Sequence, residues 1–288
     1  TDPGDIQYLN DVYAGLYHFD ADINPDSRKM YVASEWYGIL TVDVNDIYNE
    51  IDHGKTWTGG WCHGSAKKQD RLIEANEGYG VRLYDVSDLS NPTLIEVDTT
   101  VGFCRAVAMD DDANYAYCFY LTGDRFRVYD ANTLDLVSVS DIDPSVIFIG
   151  NFQNARYFND YVVVMEEVSS ANEKITLVNV SDPLSPVVEQ IRPVDDLNDV
   201  FWLSNGNLLS CAEDSINVFD IADMSITASY EVSAGNTFRS CTESNDTLYI
   251  YQSGSEEGIV RLAYSTTDAS LTYVDQNPYS MTTNHRVV

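Results

Sequence analysis

Asp20, Asp22, Asn24 and Asp26 stand at alternate positions in the segment DADINPD. That is the oxygen-donor spacing of a calcium loop, because calcium takes hard oxygen ligands from carboxylates and amides that converge in a turn. Two residues depart from the pattern. Pro25 replaces the usual glycine, and Tyr31 stands where a bidentate Glu would close the shell. The competing reading is a polar turn between two strands. The same pair of readings applies to MDDDAN (109–114), whose adjacent aspartates suit a solvated turn as well as a cation. Calcium is the one cofactor these residues suggest.

Arginine is scarce enough for its placement to be informative. Arg105, Arg156, Arg239 and Arg286 fall on or near runs expected to be innermost strands, with His63 nearby. Guanidinium groups converging on a central channel would bind a small anion such as a carboxylate or sulfate. A register shift of one residue sends each side chain toward a neighbouring sheet instead, to pair with a local aspartate, and that reading is favoured. The four histidines, His18, His53, His63 and His285, show no HxH or HExxH spacing. WCHG (61–64) lacks the CxxCH of haem attachment, and there is no G-x-S-x-G elbow or glycine-rich phosphate loop. A Ser-His-Asp constellation assembled from distant positions stays open. Asn179-Val180-Ser181 and Asn245-Asp246-Thr247 are candidate glycosylation sequons, Asn245 being the better placed, in an expected hairpin turn.

The elements that must hold these residues are legible from a repeat. ILTVDVND (39–46), VRLYDVSD (81–88), FRVYDANT (126–133), ITLVNVSD (175–182) and INVFDIAD (216–223) are successive copies, with IVRLAYST (259–266) a degenerate sixth. Anchored on Asp43, Asp85, Asp130, Asn179, Asp220 and Tyr264, they recur every 41 to 49 residues, the length of a four-stranded propeller blade. Each copy has a β-rich run before it (KMYVAS, YAYCFY, YVVVME, NLLSCA, TLYIYQ) and another after it (TLIEVD, LVSVSD, VVEQIR, ITASYEV, SLTYVD). An inner run (GLYHFD, CRAVAM, ARYFND, DVFWLS, FRSCTE) precedes these. The expected fold is all-β: one β-propeller domain over 1–288, of six or seven four-stranded antiparallel blades. The Asp closing each third strand is expected to accept backbone N–H bonds in an Asx turn rather than to bind substrate.

The ends complete the count unevenly. Residues 5–20 begin with an outer-strand pattern and 270–288 end with an inner one, so either a seventh blade is partial or segments near Ile6–Val12 and His285–Val288 join one blade. A third outcome is pairing with another copy, which would propagate into a filament. The first residues, TDPGDIQY, lack the charged start and apolar stretch of a signal peptide and read as a mature N-terminus.

GVRLYDVSDLSNPTLIEVDTTVGFCRAVAMDDDANYAYC (80–118) closely resembles the LVIVD-type propeller repeat, and ITLVNVSDPLSPVVEQI (175–191) is a second copy. The D-V-S-D-x-x-x-P core carries the resemblance, which covers most of the chain from about residue 30 onward. It implies a propeller in an extracellular or cell-surface setting. The family has no shared catalytic motif to carry over.

Net charge is −30, from 16 basic and 46 acidic residues, which disfavours nucleic acid and anionic membranes and suits high salt and divalent cations. No apolar run is long enough for a transmembrane helix. Of five cysteines, Cys104 and Cys118 flank one hairpin turn, where strand register decides between a disulfide and two thiols. Two function classes follow. One is a non-enzymatic surface protein: a binding or adhesion module, or a subunit of an extracellular assembly, engaging protein partners or copies of itself. The other is a metal-dependent extracellular hydrolase or lyase acting on a sugar or lactone in the central channel.

Overall fold

The computed structural model describes residues 18–24, 29–34, 38–43, 51–56, 60–88, 91–121, 126–140, 151–167, 173–244, 246–256, 258–267 and 270–278. Its strands form six four-stranded sheets, each a meander in chain order. The first sheet holds β1 (His18–Asn24), β2 (Lys29–Ser34), β3 (Gly38–Asp43) and β4 (Ile51–Thr56). The second holds β5 (Cys62–Lys68), β6 (Arg71–Asn76), β7 (Gly80–Asp85) and β8 (Thr93–Asp98), and the third β9 (Cys104–Met109), β10 (Tyr115–Tyr120), β11 (Phe126–Asp130) and β12 (Leu136–Ser140). The fourth comprises β13 (Asn151–Phe158), β14 (Tyr161–Glu167), β15 (Glu173–Asn179) and β16 (Val187–Pro193). The fifth has β17 (Leu197–Trp202), β18 (Leu208–Ala212), β19 (Ser215–Asp220) and β20 (Ser225–Glu231), and the sixth β21 (Asn236–Ser244), β22 (Thr247–Gly254), β23 (Gly258–Ser265) and β24 (Ser270–Pro278). Most of the expected blade runs fall on these strands, the inner run GLYHFD (15–20) meets β1 only at residues 18–20, and the irregular segment WCHGSAKKQDRLIEAN supplies β5 and β6.

Two compact units divide the chain. One, residues 9–168 and 176–189, holds the first three sheets and most of the fourth; the other, 1–8, 169–175 and 190–288, holds the fifth and sixth with the remaining ends of the fourth. Within the first unit, β1 packs beside β5, β5 beside β9 and β9 beside β13, so first strands stand next to first strands. In the second unit β17 packs beside β21 in the same way.

Burial explains the sequence pattern. Second and third strands are covered on both faces, so they read as apolar runs without alternation: β10 and β18 are almost wholly buried, and Val162, Val163 and Val164 of β14 are fully so. Fourth strands lie at sheet edges and are largely exposed, as in β8 and β20. Leu94 and Ile95 of β8 face solvent, whereas Val137 of β12, Ala228 of β20 and Leu271 of β24 pack against the cores. Sheets two and three share one core in which Ile73, Val81 and Leu83 meet Val107, Cys118 and Tyr129.

The repeated Asp does what an Asx turn requires. Asp85 Oδ1 accepts the Ser87 N–H at 2.8 Å, Asp130 Oδ1 those of Asn132 (2.7 Å) and Thr133 (3.1 Å), Asn179 Oδ1 that of Ser181 (3.0 Å) and Asp220 Oδ1 that of Ala222 (2.9 Å). The next residue donates to the tip of the same sheet's first hairpin, Val86 to Asp70, Ala131 to Asn114 and Val180 to Asp160. Cys104 and Cys118 are free, buried thiols. The register sets Cys104 opposite Tyr120 and Cys118 opposite Val107, so the two are not directly paired across the hairpin. The terminal segments invoked for blade closure, 1–17 and 279–288, lie outside the described residues.

Candidate functional site

A meander places its second-to-third turns and its sheet-to-sheet crossovers at one end. At that end of the second sheet a ladder of backbone bonds joins three segments. Glu77, in the turn after β6, donates its N–H to the Trp61 carbonyl at 2.8 Å and accepts from the Phe103 N–H at 2.7 Å. Leu121 then donates to the Phe103 carbonyl at 3.0 Å. The fifth and sixth sheets repeat the scheme, with Glu213 donating to Asp196 and accepting from Phe238, and Ser255 donating to Gly235.

On this common frame the second sheet carries unusual side chains. Trp61 is 37%, Tyr79 47% and Phe103 43% exposed, three large aromatics on segments that the backbone of Glu77 and the approach of Tyr79 to Gly60 bring to one end of the sheet. The Phe103 backbone is left-handed, with φ +63°, a conformation in which an L side chain is disfavoured; Asp196, which likewise stands directly before a first strand, has φ +54°. Gly60 makes room for the patch: at φ +73°, an added Cβ would lie 2.5 Å from Asn76 Oδ1 and 2.8 Å from the Tyr79 ring. Arg82 stands 5.1 Å from the centre of the Tyr79 ring, and its guanidinium also reaches the buried Glu74 at 3.8 Å. Glu74 in turn accepts from Asn76 and from the Tyr84 hydroxyl, both at 2.9 Å.

Beneath the aromatics lies a closed ring of three polar groups. His63 Nε2 is 2.7 Å from Glu77 Oε2, Arg105 Nη1 is 3.2 Å from His63 Nδ1, and Arg105 Nη2 is 3.1 Å from Glu77 Oε1. A guanidinium only donates and a carboxylate only accepts, so the arrangement selects neutral imidazole with its proton on Nε2. Burial pushes the His63 pKa below its ordinary value; the Glu77 hydrogen bond opposes this and the Arg105 charge adds to it. Burial also lowers the Arg105 pKa, against the attraction of Glu77. The Trp61 and His63 ring centres are 6.2 Å apart.

The structure brings His63 and Arg105 together but pairs both with Glu77, rather than leaving a guanidinium free for an anion. The expected aspartate partner is thus a glutamate. Arg239 bonds to Ser253 Oγ at 3.1 Å and lies 3.7 Å from Glu213, repeating the Arg105–Glu77 pairing at an exposed position. Arg156 lies half-buried on β13, and Arg286 falls outside the described residues. Asp20, Asp22 and Asn24 occupy alternate positions of β1, opposite Ala33, Tyr31 and Lys29, while Asp26 lies outside the described residues. In MDDDAN, Asp110 Oδ1 accepts the N–H groups of Asn114 (2.7 Å) and Tyr115 (2.9 Å), and Asp111 pairs with Lys68 at 2.8 Å. That is the hairpin-turn reading. Among the described residues no cluster of three or more His, Cys, Asp or Glu side chains is arranged to hold a metal. Asn179 is tied to Glu189 at 2.7 Å and to Ser181, and Asn245 lies outside the described residues.

Sequence reasoning passed over Trp61, Tyr79, Phe103 and Glu77. A signal was present: each aromatic follows a glycine in a connecting segment, as Gly60-Trp61, Gly78-Tyr79 and Gly102-Phe103.

Solved structures with the same sheet arrangement are β-propellers. The WD40 repeats of RRP9 superpose with a TM-score of 0.70 at 10% identity, over 96% of this chain and 84% of that one. U3-55K gives 0.69 at 11% identity, over 96% and 85%. The hydrazine synthase of Kuenenia stuttgartiensis gives 0.66 at 12% identity, over 90% and 80%. The fold is therefore a β-propeller, and the described residues form six four-stranded antiparallel sheets of it. At such identities the likeness extends to fold alone. No family model and no curated protein matches the chain. Among the described residues no helix is long and apolar enough to cross a membrane.

Proposed function

We infer that the chain is a non-enzymatic binding module, of the LVIVD-repeat kind and acting outside the cell or at its surface, that docks a protein partner on the Trp61–Tyr79–Phe103 rim. The observation that carries this is Phe103: a large aromatic, exposed, in a left-handed conformation that disfavours an L side chain. Such strain is kept where the side chain has a use. Aromatic and Arg side chains are the residues that supply most binding energy at protein interfaces, and here a hydrogen-bonded base holds them in place. With a net charge of −30 the chain favours a basic partner, since a second copy would be repelled unless salt screens both surfaces. The repeat resemblance supports the extracellular setting. Calcium near Asp20, Asp22, Asn24 and Asp26 is retained as part of the proposal. A small anion at Arg105 would have to displace Glu77.

The test is site-specific photo-crosslinking. A benzophenone side chain at position 103, against a control at the exposed edge position 226, is presented to intact cells and culture fluid of the source organism. A discrete protein adduct from 103 and none from 226 is expected. Identical or absent adducts at both positions would remove the reading.

A further inference from the structure

The His63–Glu77–Arg105 ring does more than support the rim, because its geometry depends on one proton. The neutral imidazole accepts from Arg105 at Nδ1 and donates to Glu77 at Nε2. A second proton has only Nδ1 to occupy. There it would set N–H against N–H across 3.2 Å, between two positive charges. Arg105 cannot stay; Glu77 would keep the imidazolium and lose its second partner. Arg105 is two residues from Phe103, and Glu77 holds both Trp61 and Phe103 through its backbone. Expelling Arg105 therefore loosens the segments that display all three aromatics.

The geometry points to His63 as an acid-sensitive latch on the aromatic rim: neutral, it locks Trp61, Tyr79 and Phe103 for binding; protonated, it ejects Arg105 and opens the rim. This inference rests on the binding reading for its biological use but not for its test. Among the described residues, Glu77 from the turn after β6 and Arg105 from β9 face His63. On the other side of β5, β1 carries His18, Asp20 and Asp22 and β2 carries Lys29, whose side chains lie outside the described set; β13 carries Arg156. Burial resists the charged form, so the latch holds through the ordinary histidine range and opens below it.

The readouts need no partner. Imidazolium quenches a nearby indole, so Trp61 emission, isolated by subtracting Trp61→Phe, should fall about twofold between about pH 6.5 and about pH 4. Amide exchange over 77–80 and 101–105, corrected for intrinsic rate, should accelerate about tenfold across the same window while far-UV circular dichroism stays native. His63→Gln keeps a donor toward Glu77 without titrating and should abolish both changes; His63→Asn, which keeps an acceptor toward Arg105, serves if His63→Gln does not fold. Flat profiles in the parent protein, or unchanged transitions in the non-titrating variant, would overturn the latch. Absence of a position-103 adduct at every pH would sink the binding reading alone, and emission and exchange would still decide the latch.

Discussion

Replacing Phe103 by Ala and by Gly separates the strain at this residue from the contacts of its ring. The ring is a little more than half buried, at 43% exposure, so either substitution forfeits roughly half the value of a buried Phe, about 1 to 1.5 kcal/mol. The backbone then distinguishes them. At an ordinary loop position Ala is more stable than Gly by about 0.4–1 kcal/mol, because glycine leaves the unfolded chain more freedom. At φ +63° the Cβ itself costs about 1–2 kcal/mol, which reverses the order. Phe103→Gly should therefore be more stable than Phe103→Ala by roughly 0.8 kcal/mol. Urea unfolding followed by circular dichroism reads this as a higher midpoint at equal m-value. With the photo-crosslinker moved to position 79, both variants should lose the adduct. An Ala variant equal to or more stable than the Gly variant would show that the left-handed conformation is not strained. The inference from Phe103 to a binding rim would then lose its basis.

Asp130→Ala removes an oxygen that accepts two backbone N–H bonds at the end of β11, and should lower unfolding free energy by about 1 kcal/mol while leaving Trp61 emission unchanged. Asp98 should contribute a pH-dependent part of stability. Burial raises its pKa, but hydrogen bonds from Thr100 and Tyr129 and the charge of Arg127 outweigh this and hold the carboxyl below its usual range. A depressed carboxylate stabilises above its unfolded pKa and loses that contribution as pH falls through the folded one. Asp98→Asn should thus be less stable than the parent at about pH 7, with the gap closing below about pH 3; a gap independent of pH would refute the assignment. If calcium binds among Asp20, Asp22, Asn24 and Asp26, chelator should lower the melting temperature and calcium restore it. At a free concentration about a hundredfold above Kd the gain is about 2.7 kcal/mol, and an unchanged melting curve would eliminate the site.

The blade pattern was legible in the sequence because it rests on local physics. β-branched and aromatic runs make strands, and polar residues end them. An Asp placed two residues before an open backbone N–H makes an Asx turn wherever it recurs, as Asp85, Asp130 and Asp220 do. The period of 41 to 49 residues then gives the four-stranded sheet and the fold class. Residues lining the innermost strands were also within reach, since Arg105, Arg156, Arg239 and His63 all lie on first strands.

Which of those residues meet was decided only by tertiary structure. His63 and Glu77 are 14 positions apart and His63 and Arg105 are 42, on two sheets, and their contact depends on strand register and on the crossover joining the sheets. A slip of one residue would turn each side chain to the opposite face, and nothing local in β5 or β9 specifies that register. The aromatic rim is the same kind of fact. Trp61, Tyr79 and Phe103 sit in three separate connections, and they become one surface because the backbone of Glu77 ties two of them together after the sheets have packed.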